Sequence, residues 1–265
     1  MKGRVLIVAG SDSGGGAGIQ ADIKAVTAMG GFAATAITAL TAQNTEGVHG
    51  VLAVDPAFIA QQIEVVLTDI GADALKTGML HSAEVIATVA AAFAGHAPGV
   101  PLVVDPVMIA KGGHRLLLSD AEAALRDLLL PMAALLTPNL PEAEALVGFP
   151  VRVEADMCRA AERLAALGAK AVLVKGGHLE GDRVVDLLFH EGRFDRFEDA
   201  RIASRSTHGT GCTLASAIAA GLAQKMSLRD AVARARTYVR RAIETAPGYG
   251  RGHGPLNHAV TVRPD

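Results

Sequence analysis

Cysteine is nearly missing: Cys158 and Cys212 are the only two in 265 residues, and neither belongs to a CxxC pair. A disulfide framework or a cysteine-rich zinc site is thereby excluded as the organising device, and a reducing compartment is expected. Tryptophan is absent, with two tyrosines and seven phenylalanines, so Ala, Val and Leu carry the apolar mass. Neither charge sign is in excess: 25 Lys plus Arg stand against 27 Asp plus Glu, a formal net charge of -2, which argues against nucleic acid as a partner. Long apolar runs are also lacking. The longest, Val89–Ala94, has six residues, where a membrane span needs roughly 18. After the basic Met1–Arg4, the run Val5–Ala9 stops at Gly10, too short for the apolar part of a secretory signal. A cytoplasmic protein without membrane contact is expected. No repeat, low-complexity tract or polar linker divides the chain, so residues 1–265 read as one domain.

What is present is an alternation of short β-branched runs with longer Ala-rich stretches of helical period. That pattern predicts an α/β protein with a largely parallel sheet buried on both faces. Strands are predicted at Val5–Ala9, Ala33–Ala39, Ala74–Thr77, Leu102–Asp105, Ala134–Thr137, Ala171–Lys175 and Val184–Phe189. Asp55-Pro56 predicts a helix start, and Ser119 with Glu122 and Ser227 with Asp230 have capping-box spacing. Glycine-rich clusters at Gly10–Gly18, Lys111–His114, Gly176–Gly177 and His208–Gly211 follow predicted strands or precede predicted helices. Ligands of open α/β sheets gather at such places.

Four segments carry the chemistry. In Gly10–Asp22 a strand runs into a glycine loop and then a helix, yet no GxGxxG can be drawn through it. A P-loop is also excluded, because the only Lys followed by Ser or Thr is Lys76-Thr77, with Leu75 before it. Thr207-His208-Gly209-Thr210-Gly211-Cys212-Thr213 leads into a helix, where unpaired N–H groups make an anion site. Cys212 falls in the first turn, where the same field favours thiolate; a buried structural cysteine is the alternative. Asp105 and Asn139-Leu140-Pro141-Glu142 stand at strand ends, and Asp105 and Glu142 suit magnesium, or else act as cap or first-turn carboxylates. Lys175 ends a buried strand before Gly176-Gly177, placed to meet a polyphosphate unless it is simply solvated. The remaining histidines, including His49, His81, His96, His190, His253 and His258, show no ligand spacing and read as surface or turn residues.

Taken in order, the glycine loop, Thr38–Asn44, Lys76–Leu80, Asp105–Met108, Thr137–Ala143, Val174–His178 and Thr207–Thr213 resemble the hydroxymethylpyrimidine and phosphomethylpyrimidine kinases of thiamine biosynthesis. These belong to the ribokinase-like superfamily. The resemblance implies a three-layer α/β/α fold with eight or nine strands, and ATP with Mg2+ as the phosphoryl donor. The acceptor it implies is 4-amino-5-hydroxymethyl-2-methylpyrimidine, phosphorylated to the monophosphate and then to the diphosphate. It further implies that Gln43 reads the pyrimidine edge and that Ala17, Asp22, Met79 and Val107 line the rest of the pocket. Asn139, Lys175, Thr207 and Gly209 would meet ATP, and Asp105 and Glu142 the metal. Gly209, Thr210, Gly211, Cys212 and Lys175 would attend the transfer, with the Cys212 thiolate as the favoured acceptor of the hydroxymethyl proton. The tail Gly248–His258 is expected at the pocket rim or at the interface of a homodimer. The alternatives are a pyridoxal or pyridoxine kinase, and a non-catalytic sensor of nucleotides or pyrimidine phosphates.

Overall fold

Val5, Ile7 and Ala9 face one side of the first strand and Leu6 and Val8 the other, and all five are buried. A strand apolar on both faces is stable only between two apolar layers. The computed structural model, which describes residues 1–109, 113, 116–118 and 120–262, supplies those layers. Its nine strands are β1 (Arg4–Asp12), β2 (Phe32–Gln43), β3 (Val48–Ala53), β4 (Ala74–Thr77), β5 (Leu102–Val104), β6 (Ala133–Leu136), β7 (Ala171–Lys175), β8 (Arg183–His190) and β9 (Arg193–Ala200). They form one sheet in the order β3-β2-β1-β4-β5-β6-β7-β8-β9. The run from β2 to β7 is parallel, while β3, β8 and β9 pair antiparallel at the two edges.

Helices α1 (Gly18–Ala28), α2 (Pro56–Asp69), α3 (Ala83–His96), α4 (Ala121–Ala124), α5 (Leu140–Val147), α6 (Glu154–Ala166), α7 (Thr210–Ala223) and α8 (Leu228–Glu244) cover both faces. One apolar layer joins Leu6, Val8 and Val104 to Ile59, Phe93 and Leu164 from α2, α3 and α6. The other joins Val5, Ile7 and Val103 to Val26, Ile218 and Val239 from α1, α7 and α8. Among the described residues no helix is long and apolar enough to cross a membrane.

The helix starts follow local chemistry. Asp55 Oδ1 accepts the Ala57 N–H at 2.9 Å ahead of Pro56, and Ser227 Oγ accepts the Asp230 N–H at 3.2 Å. Ser119 lies outside the described residues, as do Lys111, Gly112 and His114 of the expected glycine cluster. Two strands, β3 and β9, were not anticipated. Both are edge strands, and Arg193–Ala200 interleaves charge with phenylalanine, a composition that protects an open edge and hides the strand period.

β1 has β2 on one side and β4 on the other, so the connections leave it in opposite directions. Between the carboxyl ends of β1 and β4 a crevice must open, the position where doubly wound sheets take ligands.

Candidate active site

A cavity of about 700 Å³ occupies that crevice and runs along the carboxyl edge from β1 to β7. Ala17, Gln43, Met79 and Val107 wall one part of it; Asp105, Asn139, Glu142, Lys175, Thr207 and Gly209–Cys212 wall another. Asp22 alone among the expected residues stays out of the wall.

The glycine loop is built around Asp12, a residue the sequence reading passed over. Its carboxylate accepts the N–H groups of Gly14 at 2.8 Å, Gly16 at 3.1 Å and Ala17 at 2.8 Å, and His208 Nε2 stands 2.8 Å away. Burial works against the charge, but the bonds from His208 and Ala17 prevail and hold the carboxyl below its ordinary range. Asp12 thus ties the loop to the turn before α7. The two segments touch so closely that a Cβ on Gly209, whose φ is +77°, would lie 1.9 Å from the Gly16 carbonyl oxygen. Only glycine is possible there.

Gly209 caps α7, and Thr210, Gly211 and Cys212 form its first turn, whose N–H groups have no intrahelical acceptor. A Cβ on Gly211 would stand 3.2 Å from Lys175 Nζ and 3.6 Å from Asp105 Oδ2. Its absence leaves a cradle between a helix start, an ammonium and a carboxylate. Lys175 is no solvated strand end: its side chain is 14% exposed and its Nζ donates to Asp105 Oδ1 at 3.0 Å, with Glu142 Oε2 at 4.0 Å. Thr137 Oγ1 donates to the same Asp105 oxygen at 3.1 Å. Glu142 is also a capping residue, as the bland reading allowed: its carboxylate accepts the Asn139 N–H at 2.8 Å, and Asn139 Oδ1 accepts the Glu142 N–H at 2.9 Å. Burial, reinforced by Asp105 and opposed by Lys175, pushes Glu142 up to about 7.

Three expectations need correction. Asp22, placed at the pocket wall, lies behind it with no exposed surface. Its oxygens take the Lys76 ammonium at 2.9 and 2.8 Å, and Oδ1 also accepts the Ser216 hydroxyl at 2.7 Å. Lys76, given no role of its own in the sequence, is the residue that reaches the cavity. Cys212 occupies the expected first turn, but desolvation outweighs the helix field and the Lys76 ammonium and pushes the thiol up to about 12, with Asp22 and Asp105 adding to the rise. It rests as a thiol, not a thiolate. His258 and His190 are buried rather than superficial. His190 Nε2 lies 2.7 Å from Asp195 Oδ2, and His258 Nε2 2.9 Å from Thr213 Oγ1 in the first turn of α7.

The tail carrying His258 packs against the turn before α7 and the segment after β2: Gly254 O accepts the His208 N–H at 3.1 Å, and Thr45 O accepts the His253 N–H at 2.8 Å. Burial pulls His258 down to about 4, so the folded state binds its proton less readily than the unfolded chain. Its contribution is present above the ordinary histidine range and is lost as pH falls from about 6.5 to about 4, at most about 3 kcal/mol. Urea titrations across that window are expected to show His258→Gln losing less stability on acidification than the parent; equal slopes would refute the assignment.

The apolar end of the cavity is set by β2. Gln43 stands at its end with Oε1 3.1 Å from the Thr41 hydroxyl and Nε2 3.4 Å from His208 Nε2. Met79 and Val107 add apolar surface to the same wall, a lining that a flat heteroaromatic ring with polar edges fits.

Comparison with known proteins gives a consistent result. A family model described as phosphomethylpyrimidine kinase matches residues 12–257. The chain is 54% identical over 261 residues to the thiamine biosynthesis bifunctional protein ThiED of Geobacter sulfurreducens, covering 98% of this chain but 53% of that one, so it spans about half of that relative's length. It is 46% identical to the hydroxymethylpyrimidine/phosphomethylpyrimidine kinase of Bacillus subtilis over 98% of this chain and 96% of the other. Its backbone follows the pyridoxal kinase of Staphylococcus aureus in complex with AMP-PCP and pyridoxal, with a TM-score of 0.91 and 33% identity over 99% and 96% of the two chains.

Proposed function

The chain belongs to the phosphomethylpyrimidine kinase family, and from that premise we propose that its cavity carries two successive transfers of the ATP γ-phosphoryl group. The first acceptor is the hydroxymethyl oxygen of 4-amino-5-hydroxymethyl-2-methylpyrimidine; the second is the phosphate of the resulting monophosphate. One observation carries the reading: the switch point joins a ring-sized apolar wall with the Gln43 amide to a helix start flanked by Lys175 and Asp105.

In the first transfer the alcohol oxygen bonds to the γ-phosphorus while the bond from that phosphorus to the β,γ-bridging oxygen breaks. ADP leaves, and the hydroxyl proton passes to an oxygen of the transferred group. Such reactions need positioning and charge stabilisation rather than covalent catalysis. The amides of Gly209–Cys212 and the Lys175 ammonium supply that charge. Magnesium fits the donor set, because Asp105 and Glu142 offer buried hard oxygens beside the space that Gly211 leaves open. When bound there it would neutralise phosphate charge. Asn139 and Thr207 stand in the same wall for the nucleotide.

A coupled ADP-release assay with hydroxymethylpyrimidine, its monophosphate and pyridoxine at equal concentration tests the proposal. The pyrimidines are expected to be the better substrates. The pyridoxal kinase likeness makes pyridoxine the competing acceptor, and a more than tenfold preference for it in kcat/KM would sink the reading. Binding without ADP formation at any magnesium concentration would instead identify a sensor.

Two substitutions probe the site. Gln43→Ala is expected to lower kcat/KM for the pyrimidine by about five- to 150-fold, the equivalent of one buried hydrogen bond at roughly 1 to 3 kcal/mol, with ATP affinity steady. An unchanged value places Gln43 outside recognition. Because Cys212 rests as a thiol, Cys212→Ser is expected to keep kcat at pH 7 within about tenfold, whereas loss of a general base costs roughly 10²- to 10⁴-fold. A fall into that second range would restore the thiolate mechanism.

A further inference from the structure

Lys76 has no solvent-exposed surface, yet it is part of the cavity wall. Two of its three ammonium protons are committed to the Asp22 carboxylate, at 2.9 and 2.8 Å. No further acceptor for Nζ stands within hydrogen-bond distance among the described residues, so one N–H is left for the cavity. The pair itself is fixed from below: Ser216, one helical turn after Cys212 on the same face of α7, donates to Asp22 Oδ1 at 2.7 Å. Cys212 therefore lies on the helix face turned to the ion pair, within reach of both charges. From the other side the space belongs to Gly78, where a Cβ would come within 2.9 Å of Nζ.

The place of this ammonium decides what it can do. Met79, in the ring-binding wall, follows Gly78 on the same strand end, while Cys212 belongs to the phosphoryl-binding turn. The hydroxymethyl group of a substrate that spans both walls must pass between them. There the alcohol oxygen takes on alkoxide charge as its proton leaves for an oxygen of the γ-phosphoryl group, and the neutral thiol nearby cannot offset that charge. A buried ionised pair is a costly device for stability alone, since an apolar pair of the same volume serves the core as well or better.

We propose that Lys76 is a further catalytic residue of the transfer, its free N–H holding the charge that develops on the attacking oxygen, while Asp22 keeps the ammonium protonated and aimed. This rests on the reading of the cavity as the site of phosphoryl transfer to a pyrimidine alcohol. It differs from the Lys175 role in acting on the acceptor side of the reacting phosphorus.

The test uses two variants of the full chain, with kcat and KM for hydroxymethylpyrimidine and ATP measured beside thermal melting. Lys76→Met/Asp22→Leu removes both charges and keeps the volume, so the fold is expected to survive. Its kcat is expected to fall by about 10²- to 10³-fold, the loss typical of one charge-stabilising donor, with both KM values within about threefold. Gly78→Ala leaves both charged residues in place but crowds Nζ away from its position, and it keeps the proposal testable if the double variant fails to fold. A fall in kcat of at least about tenfold at steady KM is expected there. The proposal is overturned if either folded variant keeps its kcat within about threefold of the parent, or if the whole loss is in KM, which would make Lys76 a ground-state binding group. A parent that forms no ADP with the pyrimidine removes the transfer reading and this inference together, whereas an active parent with unaffected variants removes the inference alone.

Discussion

Asp22→Ala is expected to lower the unfolding free energy by about 3–5 kcal/mol, because it strands the Lys76 ammonium in a site with no exposed surface. The Ser216 hydroxyl loses its acceptor at the same time. For a chain of this size the change corresponds to a fall in Tm of roughly 6–20 °C. The direction of the imbalance matters. Asp22 holds Lys76 charged although burial alone would favour the neutral amine, so removing the carboxylate makes the site choose between an unpaired cation and a lost proton. Lys76→Met/Asp22→Leu should therefore be markedly more stable than Asp22→Ala. A urea titration that finds Asp22→Ala within about 1 kcal/mol of the parent would mean that solvent enters the site.

The second large effect is on catalysis. Lys175→Ala is expected to reduce kcat/KM by about 10²- to 10³-fold, the loss of one preorganised charge at the transferring group. A secondary effect compounds it. Lys175 is the cation that opposes the upward push on Glu142, already at about 7, so its removal drives Glu142 further toward the protonated form at neutral pH. A protonated Glu142 is a poorer magnesium ligand. The variant is therefore expected to need more magnesium for half-maximal rate, and to recover its Glu142-dependent rate at a higher pH than the parent does. A loss below about fivefold, with an unchanged magnesium requirement, would remove Lys175 from the transfer.

The sheet interior was legible because its strands are apolar on both faces and bounded by glycine or proline: Ala74–Thr77 and Ala171–Lys175 end where the sequence reading ends them. Edge strands escaped for the opposite reason. β3 is largely exposed and β9 carries alternating charge, so no buried face imposes a pattern on either. The same division runs through the site. Gln43, Lys175, Asp105 and the turn before α7 sit in short segments whose local order announces their position. Asp12, Lys76 and His208 act through partners far away in the chain, and no local pattern marks an aspartate that gathers three amides and a distant imidazole. The thiolate expected at Cys212 failed because a helix terminus is visible in sequence and desolvation is not. His258 was misread on the same account, since its burial depends on where the tail is laid down.

Asp12 and His208 meet across 196 residues of sequence. Entropically that closure is cheap relative to its length, since each doubling of a loop adds only about 0.6 kcal/mol. In time it is another matter. Contacts of such separation are slow to form, because the closure must be made before it is rewarded, and here nearly the whole sheet lies between the two residues. Competence to bind thus requires both ends of the chain to be in place. A ligand that bridges the glycine loop and α7 can then be held by no partly folded species that lacks either wall. Pyrimidine or nucleotide bound there should raise the melting temperature of the whole cooperative unit in proportion to the logarithm of its concentration, and should slow unfolding wherever the first strand to detach is β1.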